Sequence, residues 1–129
     1  METTSDLKAL GTRIGTAMAE ADWLTVLSHL SPGVIAHVPA VGDFTGAEEL
    51  AGFLADTSSK TSNGEHFELL DTLVGDRFVG LYFRITAERS GRPPLDNLTV
   101  HLARLDEDDL VSEIWFHNFD TRAVAGFWA

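Results

Sequence analysis

The chain has 129 residues, the size of one domain, and 44% of them are hydrophobic, enough for a core of ordinary size. Nine Lys and Arg against twenty Asp and Glu leave a formal charge of −11. That balance argues against nucleic acid and against an anionic membrane surface as partners, since both need clustered cations. The absence of cysteine removes disulfides, thiolate metal sites, cysteine nucleophiles and thiol switches together.

Apolar runs last only a few residues, too short for a spanning helix. Met1 to Asp6 lacks the basic and apolar regions of a signal peptide. A cytoplasmic protein with a single domain over residues 1–129 is the expectation.

Leu7, Leu10, Ile14, Ala17 and Ala21, with Met18 beside them, recur at helical spacing over residues 6–21, and Ser5 or Asp6 can cap the start. Gly11 and Gly15 weaken this helix and point to close packing against another element. Asp22 can cap a second, short helix with Trp23, Val26, Leu27 and Leu30 inward, which Ser31-Pro32-Gly33 ends. Val34 to Pro39 predicts a strand and Val41 to Phe44 a loop. Thr45-Gly46-Ala47-Glu48 has the spacing of a capping box. The helix behind it presents Leu50, Phe53 and Leu54 and dissolves in the polar stretch Thr57 to Gly64.

From there the period switches to two. Phe67, Leu69 and Leu73 precede a Gly75-Asp76 turn; Phe78 to Glu88 forms a long strand, broken by Ser90 to Pro94. Leu95 to Leu105, the acidic turn Asp106 to Asp109 and Leu110 to Phe119 complete an antiparallel meander. Thr121 to Ala129 predicts a short docking helix capped by Asp120. Segregated helices and antiparallel strands give an α+β domain. A bent sheet closed on one side by helices makes a cone with a pocket inside.

Several segments, in this order, resemble a known family. They are Ala21-Asp22-Trp23-Leu24, the strand end His37-Val38-Pro39, Phe44-Thr45-Gly46-Ala47-Glu48-Glu49-Leu50, and Val111 to Asp120 followed by Phe127-Trp128. The family is the nuclear transport factor 2-like superfamily, in its SnoaL-like and ketosteroid isomerase-like branch. The resemblance covers nearly the whole chain. It implies a cone-shaped roll, of cystatin-like architecture, in which a curved, mainly antiparallel sheet wraps around helices and encloses a pocket. This fold hosts isomerases, cyclases, dehydratases, epoxide hydrolases and non-catalytic proteins. The functional positions of ketosteroid isomerases fall here at Val38, Ile14 and His101; two are apolar, which argues against that activity. The paired carboxylates of limonene epoxide hydrolase-like members are replaced by Arg84-Ile85-Thr86 and His117. SnoaL-like cyclases use an Asp and a His from the last two strands, for which Asp120 and His101 are the nearest candidates.

Histidine is the default acid or base near neutral pH. His29 and His66 fall where the patterns turn to solvent, whereas His37, His101 and His117 lie on separate strands expected to line one cone. Strand alternation groups His101 with Asn97, Thr99 and Ala103, too polar a face for a plain core. His101, His117 and Asp120 are therefore the candidate catalytic residues. Trp23, His37, Phe53, Phe83, Asn97, Thr99, Trp115, Asn118 and Phe127 are the candidate pocket lining. Six of these have a plain alternative. His101 could sit on a solvated face, His117 could be buried against backbone, and His37 could satisfy a strand end. Asp120 could serve as a helix cap, and Trp23 and Trp115 could belong to the core.

Neither metal nor cofactor is expected. The three strand histidines lack close pairing, the acidic turn lacks the spaced oxygens of a calcium loop, and no G-x-S-x-G or G-x-G-x-x-G occurs. Tyr82 and Arg84 alternate with Val79, Leu81, Phe83 and Ile85, as in a strand covered on both faces, so a homodimer through the sheet is expected. Two functions fit this pattern. One is a cofactor-free isomerase, cyclase or dehydratase acting by histidine-based proton transfer on an apolar carbonyl compound. The other is a non-catalytic protein of the same fold that binds a hydrophobic small molecule or serves as an accessory subunit.

Overall fold

A computed structural model describes residues 3–39, 41–62 and 65–129. Among them, the chain order is helix α1 (Thr4–Ala19), α2 (Trp23–Ser28), strands β1 (Leu30–Val38) and β2 (Gly42–Thr45), and α3 (Ala47–Ser59). Strands β3 (His66–Gly75), β4 (Phe78–Ala87), β5 (Leu95–Leu105) and β6 (Val111–Asn118) and helix α4 (Thr121–Trp128) complete it. The six strands form one sheet in the order β2-β1-β6-β5-β4-β3. Every pairing is antiparallel except that of β1 with β6. The sheet curls without closing, and the architecture is α+β.

Helix α1 starts earlier than its apolar pattern suggested. Thr3 is its cap: the Thr3 side chain accepts from the Asp6 N–H, and the Asp6 carboxylate accepts from the Thr3 N–H. The helix lies on β3 and β4 through its two inner glycines. A Cβ at Gly11 would come within 2.8 Å of Thr72 Cγ2, and one at Gly15 within 2.9 Å of Leu69 Cδ2. The close packing expected of these glycines is present. Asp22 caps α2 as expected, accepting from the Thr25 N–H and hydroxyl.

Three local expectations change. Strand β1 begins at Leu30, paired to Val111, and runs through Ser31-Pro32-Gly33; pairing with β6 lapses until Ile35 because Pro32 lacks an N–H. Gly42 to Phe44, expected within a loop, belong with Thr45 to β2, which forms a hairpin with β1. Thr45 is thereby committed to pairing with Ile35, so it does not cap α3. That place goes to Gly46, at φ +93°, whose carbonyl accepts from the Leu50 N–H. The end of the polar stretch, Asn63 and Gly64, and the first two residues of the chain lie outside the described residues.

Alternation along β4 and β5 sets the two faces of the sheet. Val79, Leu81, Phe83, Ile85 and Ala87 on β4 and Leu95, Asn97, Thr99, His101, Ala103 and Leu105 on β5 point inward and are all buried. The core fills the space between this concave face and α1, with Leu7, Ile14, Ala17 and Met18 contributed by the helix. A smaller cluster seats α4, where Phe127 meets Ala87 and Leu95. Arg89 donates to the Phe127 carbonyl and Arg92 to the Gly126 carbonyl, placing cations at the helix end where they are favoured.

Candidate functional site

The inner face of β5 is polar because it walls a cavity. The cavity has a volume of about 640 Å³ and is bounded by α3, the β1–β2 hairpin, the middle of the sheet and α4. Rings dominate its lining: Phe44, Phe53, Phe67, Phe116 and Trp128. His101, Asn97 and Asn118 provide the neutral polar groups on the sheet side.

His101 is 5% exposed and wrapped in rings, with Phe116, Phe83 and Phe67 at centroid distances of 4.3, 5.2 and 6.3 Å. Nδ1 is enclosed with no hydrogen-bond partner. Burial, with a smaller contribution from His117, pushes its pKa down to about 3, so the ring is neutral at physiological pH. Two rungs along β5, the Asn97 side-chain N–H donates to the Asn118 carbonyl oxygen at 3.3 Å, and the Asn97 carbonyl oxygen accepts from the Asp120 N–H. This chain of bonds fixes both amides and ties them to the start of α4.

The structure brings together Phe53, Asn97, His101 and Asn118 from the sequence candidates. Phe83 is fully buried behind His101, and Thr99 donates its hydroxyl to the His117 carbonyl, so both support the wall without lining the cavity. Trp23 packs edge-on against Phe67 outside the lining, and Phe127 is buried in the α4 cluster. Asp120 caps α4, accepting from the Ala123 N–H.

His37, Trp115 and His117 do not converge with His101. On β6, alternation forces a choice. Phe116 and Asn118 pair with inward residues of β5, so Trp115 and His117, which pair with Leu102 and Val100, face outward. His37 pairs with Trp115 and shares its face, with the two rings stacked at 5.5 Å. There His37 is clamped between carboxylates, Nδ1 at 2.9 Å from Asp43 and Nε2 at 2.6 Å from Glu113. Glu113 also accepts from Arg104. The hydrogen bonds to Glu113 and then Asp43 raise the His37 pKa. Arg84 lies on this outer face as well, exposed and forked onto Asp96 through two hydrogen bonds.

Phe116 and Glu65 are cavity residues that the sequence reading missed. The period-two pattern of β6 contained the signal for Phe116, but residues on α4 and ahead of β3 reach the cavity only through tertiary packing. Glu65 is largely buried, and desolvation raises its pKa, partly offset by a hydrogen bond with Thr57. Among the described residues, no cluster of three or more His, Asp or Glu is placed to hold a metal ion, and no helix is long and apolar enough to cross a membrane.

The sequence model of the SnoaL-like domain family matches residues 12–114. No curated protein matches the sequence. The fold is similar to that of Bal32a from a soil-derived mobile gene cassette, with TM-score 0.86 and 23% identity over 98% of this chain and 100% of that one. TerC, co-crystallised with polyporic acid, aligns with TM-score 0.75 and 15% identity over 90% of this chain and 92% of its own. A candidate polyketide cyclase of Xanthomonas campestris pv. campestris aligns with TM-score 0.77 and 13% identity over 94% and 95%.

Proposed function

This chain belongs to the SnoaL-like domain family, and on that basis we propose that its cavity holds a largely apolar carbonyl compound whose oxygen is bound by His101 and the amides beside it. The observation that carries this reading is the neutral, ring-enclosed His101 in the wall of an apolar cavity. With Nδ1 enclosed, the tautomer protonated at Nε2 leaves only a lone pair unsatisfied there and turns a donor toward the ligand. Asn118 keeps its amide N–H groups for the same oxygen, since its own carbonyl is engaged by Asn97. The co-crystallised polyporic acid of one structural neighbour and the polyketide assignment of another support this ligand class.

Two readings share this cavity. In the first, donors on the oxygen promote proton transfer at the adjacent carbon, leading to isomerisation, aldol-type cyclisation or dehydration without a cofactor. In the second, the compound is bound without turnover. A general base works best when its pKa lies near the working pH, and His101 lies far below it. His117 and Asp120, the other candidate catalytic residues, stand outside the cavity lining. Binding is therefore the better-supported reading. The test is titration with hydroxyquinones and aromatic polyketide-like ketones, in wild type and His101→Phe, alongside solvent deuterium exchange next to the ketone. Binding lost in the variant supports the site. Exchange that depends on His101 restores the catalytic reading, and equal binding by both proteins overturns the assignment.

We also read residues 1–129 as one domain, since α1 and α4, which begin or lie outside the matched segment, pack on the same sheet. The outer face supports a homodimer: Val100, Leu102 and Trp115 are only half-buried and Leu73 is 50% exposed.

A further inference from the structure

Besides the neutral His101, three acidic or basic side chains reach the cavity: Asp56, Lys60 and Glu65. Asp56 and Lys60 are exposed and pair with each other at 3.1 Å, as an ordinary i, i+4 bridge at the C-terminal end of α3. Glu65 differs. It immediately precedes β3, shares the inward parity of Phe67 and is largely buried. Among the described residues it has no cation within salt-bridge distance. Its polar neighbour is Thr57, whose hydroxyl already donates to the Leu54 carbonyl. A desolvated carboxylate of this kind is stabilised by any cation brought to it. The rings of Phe44, Phe53, Phe67 and Trp128 in the same cavity present the electron-rich faces that attract alkylammonium groups.

We propose that Glu65 makes the cavity selective for ligands that carry a protonated amine on an otherwise apolar body. The assignment rests on the reading of this cavity as a small-molecule site and adds a second pole to it. His101 lies on the rung of Leu81 and Phe116, whereas Glu65 lies beyond the rung of Phe67, Ile85 and Asn97. The amine therefore sits at the end of the inner face away from His101, next to α3. No bond is made or broken in this recognition. Lys60 remains bridged to Asp56, so the cation at Glu65 comes from the ligand.

Phenylbutylamine and its uncharged analogue phenylbutanol separate charge from apolar fit. By calorimetry at neutral pH, wild type is expected to bind the amine about 10–100-fold more tightly than the alcohol, the range of a charge-assisted hydrogen bond. Glu65→Gln should erase this preference while binding the alcohol as wild type does. Equal binding of the two probes by wild type overturns the inference and leaves the cavity reading standing. So does a preference that survives Glu65→Gln. If wild type binds neither probe, the small-molecule reading falls, and this inference falls with it.

Discussion

The imidazole of His101 and the ring of Phe116 face each other across β5 and β6 at 4.3 Å between centroids, tilted by 43°. This contact is part of why a histidine on an inward strand position stays neutral: burial among rings removes water and leaves no hydrogen-bond acceptor for a second ring N–H.

Acid sensitivity follows. The folded pKa of about 3 lies below the value of about 6.5 expected in the unfolded chain. Between those values the unfolded chain binds the extra proton, so stability is lost as pH falls below the unfolded pKa. The slope approaches about 1.4 kcal/mol per pH unit. Urea unfolding of wild type and His101→Phe should therefore diverge by roughly 2 kcal/mol between about pH 7 and pH 5, with the variant less affected. Parallel pH profiles would contradict the burial argument.

His37 acts in the opposite sense. Its folded pKa is raised by Glu113 and Asp43, so its contribution is fully present below the unfolded value and fades as pH rises through the folded one. His37→Gln should lower the melting temperature at about pH 6 and leave it nearly unchanged at about pH 9. A shift that is the same at both values would assign the residue to packing on Trp115 alone.

Helix α1 is seated by the absence of two side chains. Gly11→Ala must push Thr72 or Val79 aside and should cost about 1–3 kcal/mol. Gly52→Ala on α3 is the control. Nothing lies within 4 Å of the added methyl, and helix propensity should yield a gain of up to about 1 kcal/mol. Chemical denaturation of both variants reads the contrast.

The sheet face offers a test of assembly. Wild type at micromolar concentration is expected to scatter light as a dimer, and Leu102→Lys, on the outward row with Trp115, as a monomer of unchanged circular dichroism. A monomeric wild type would remove the homodimer.

Much of this protein follows from its sequence alone, because most of its elements are specified by short-range chemistry. Periodicity placed β4, β5 and β6 nearly to the residue, Asp22 and Asp120 announced their helices, and strand alternation grouped Asn97, Thr99 and His101 on one polar face, which lies inward. Tertiary structure alone decided the rest. Thr45 could cap a helix or extend a hairpin, and pairing with Ile35 settled it for the hairpin. Alternation showed that Trp115 and His117 share a face of β6, but only the register against β5 determined that this face points outward. Glu65 and Trp128 are far apart in the chain and carry no common motif; they line one cavity because the sheet curls and α4 packs back onto it. Local propensities act over a few residues, whereas a pocket is made where distant segments meet, and its chemistry is set by the water those segments exclude.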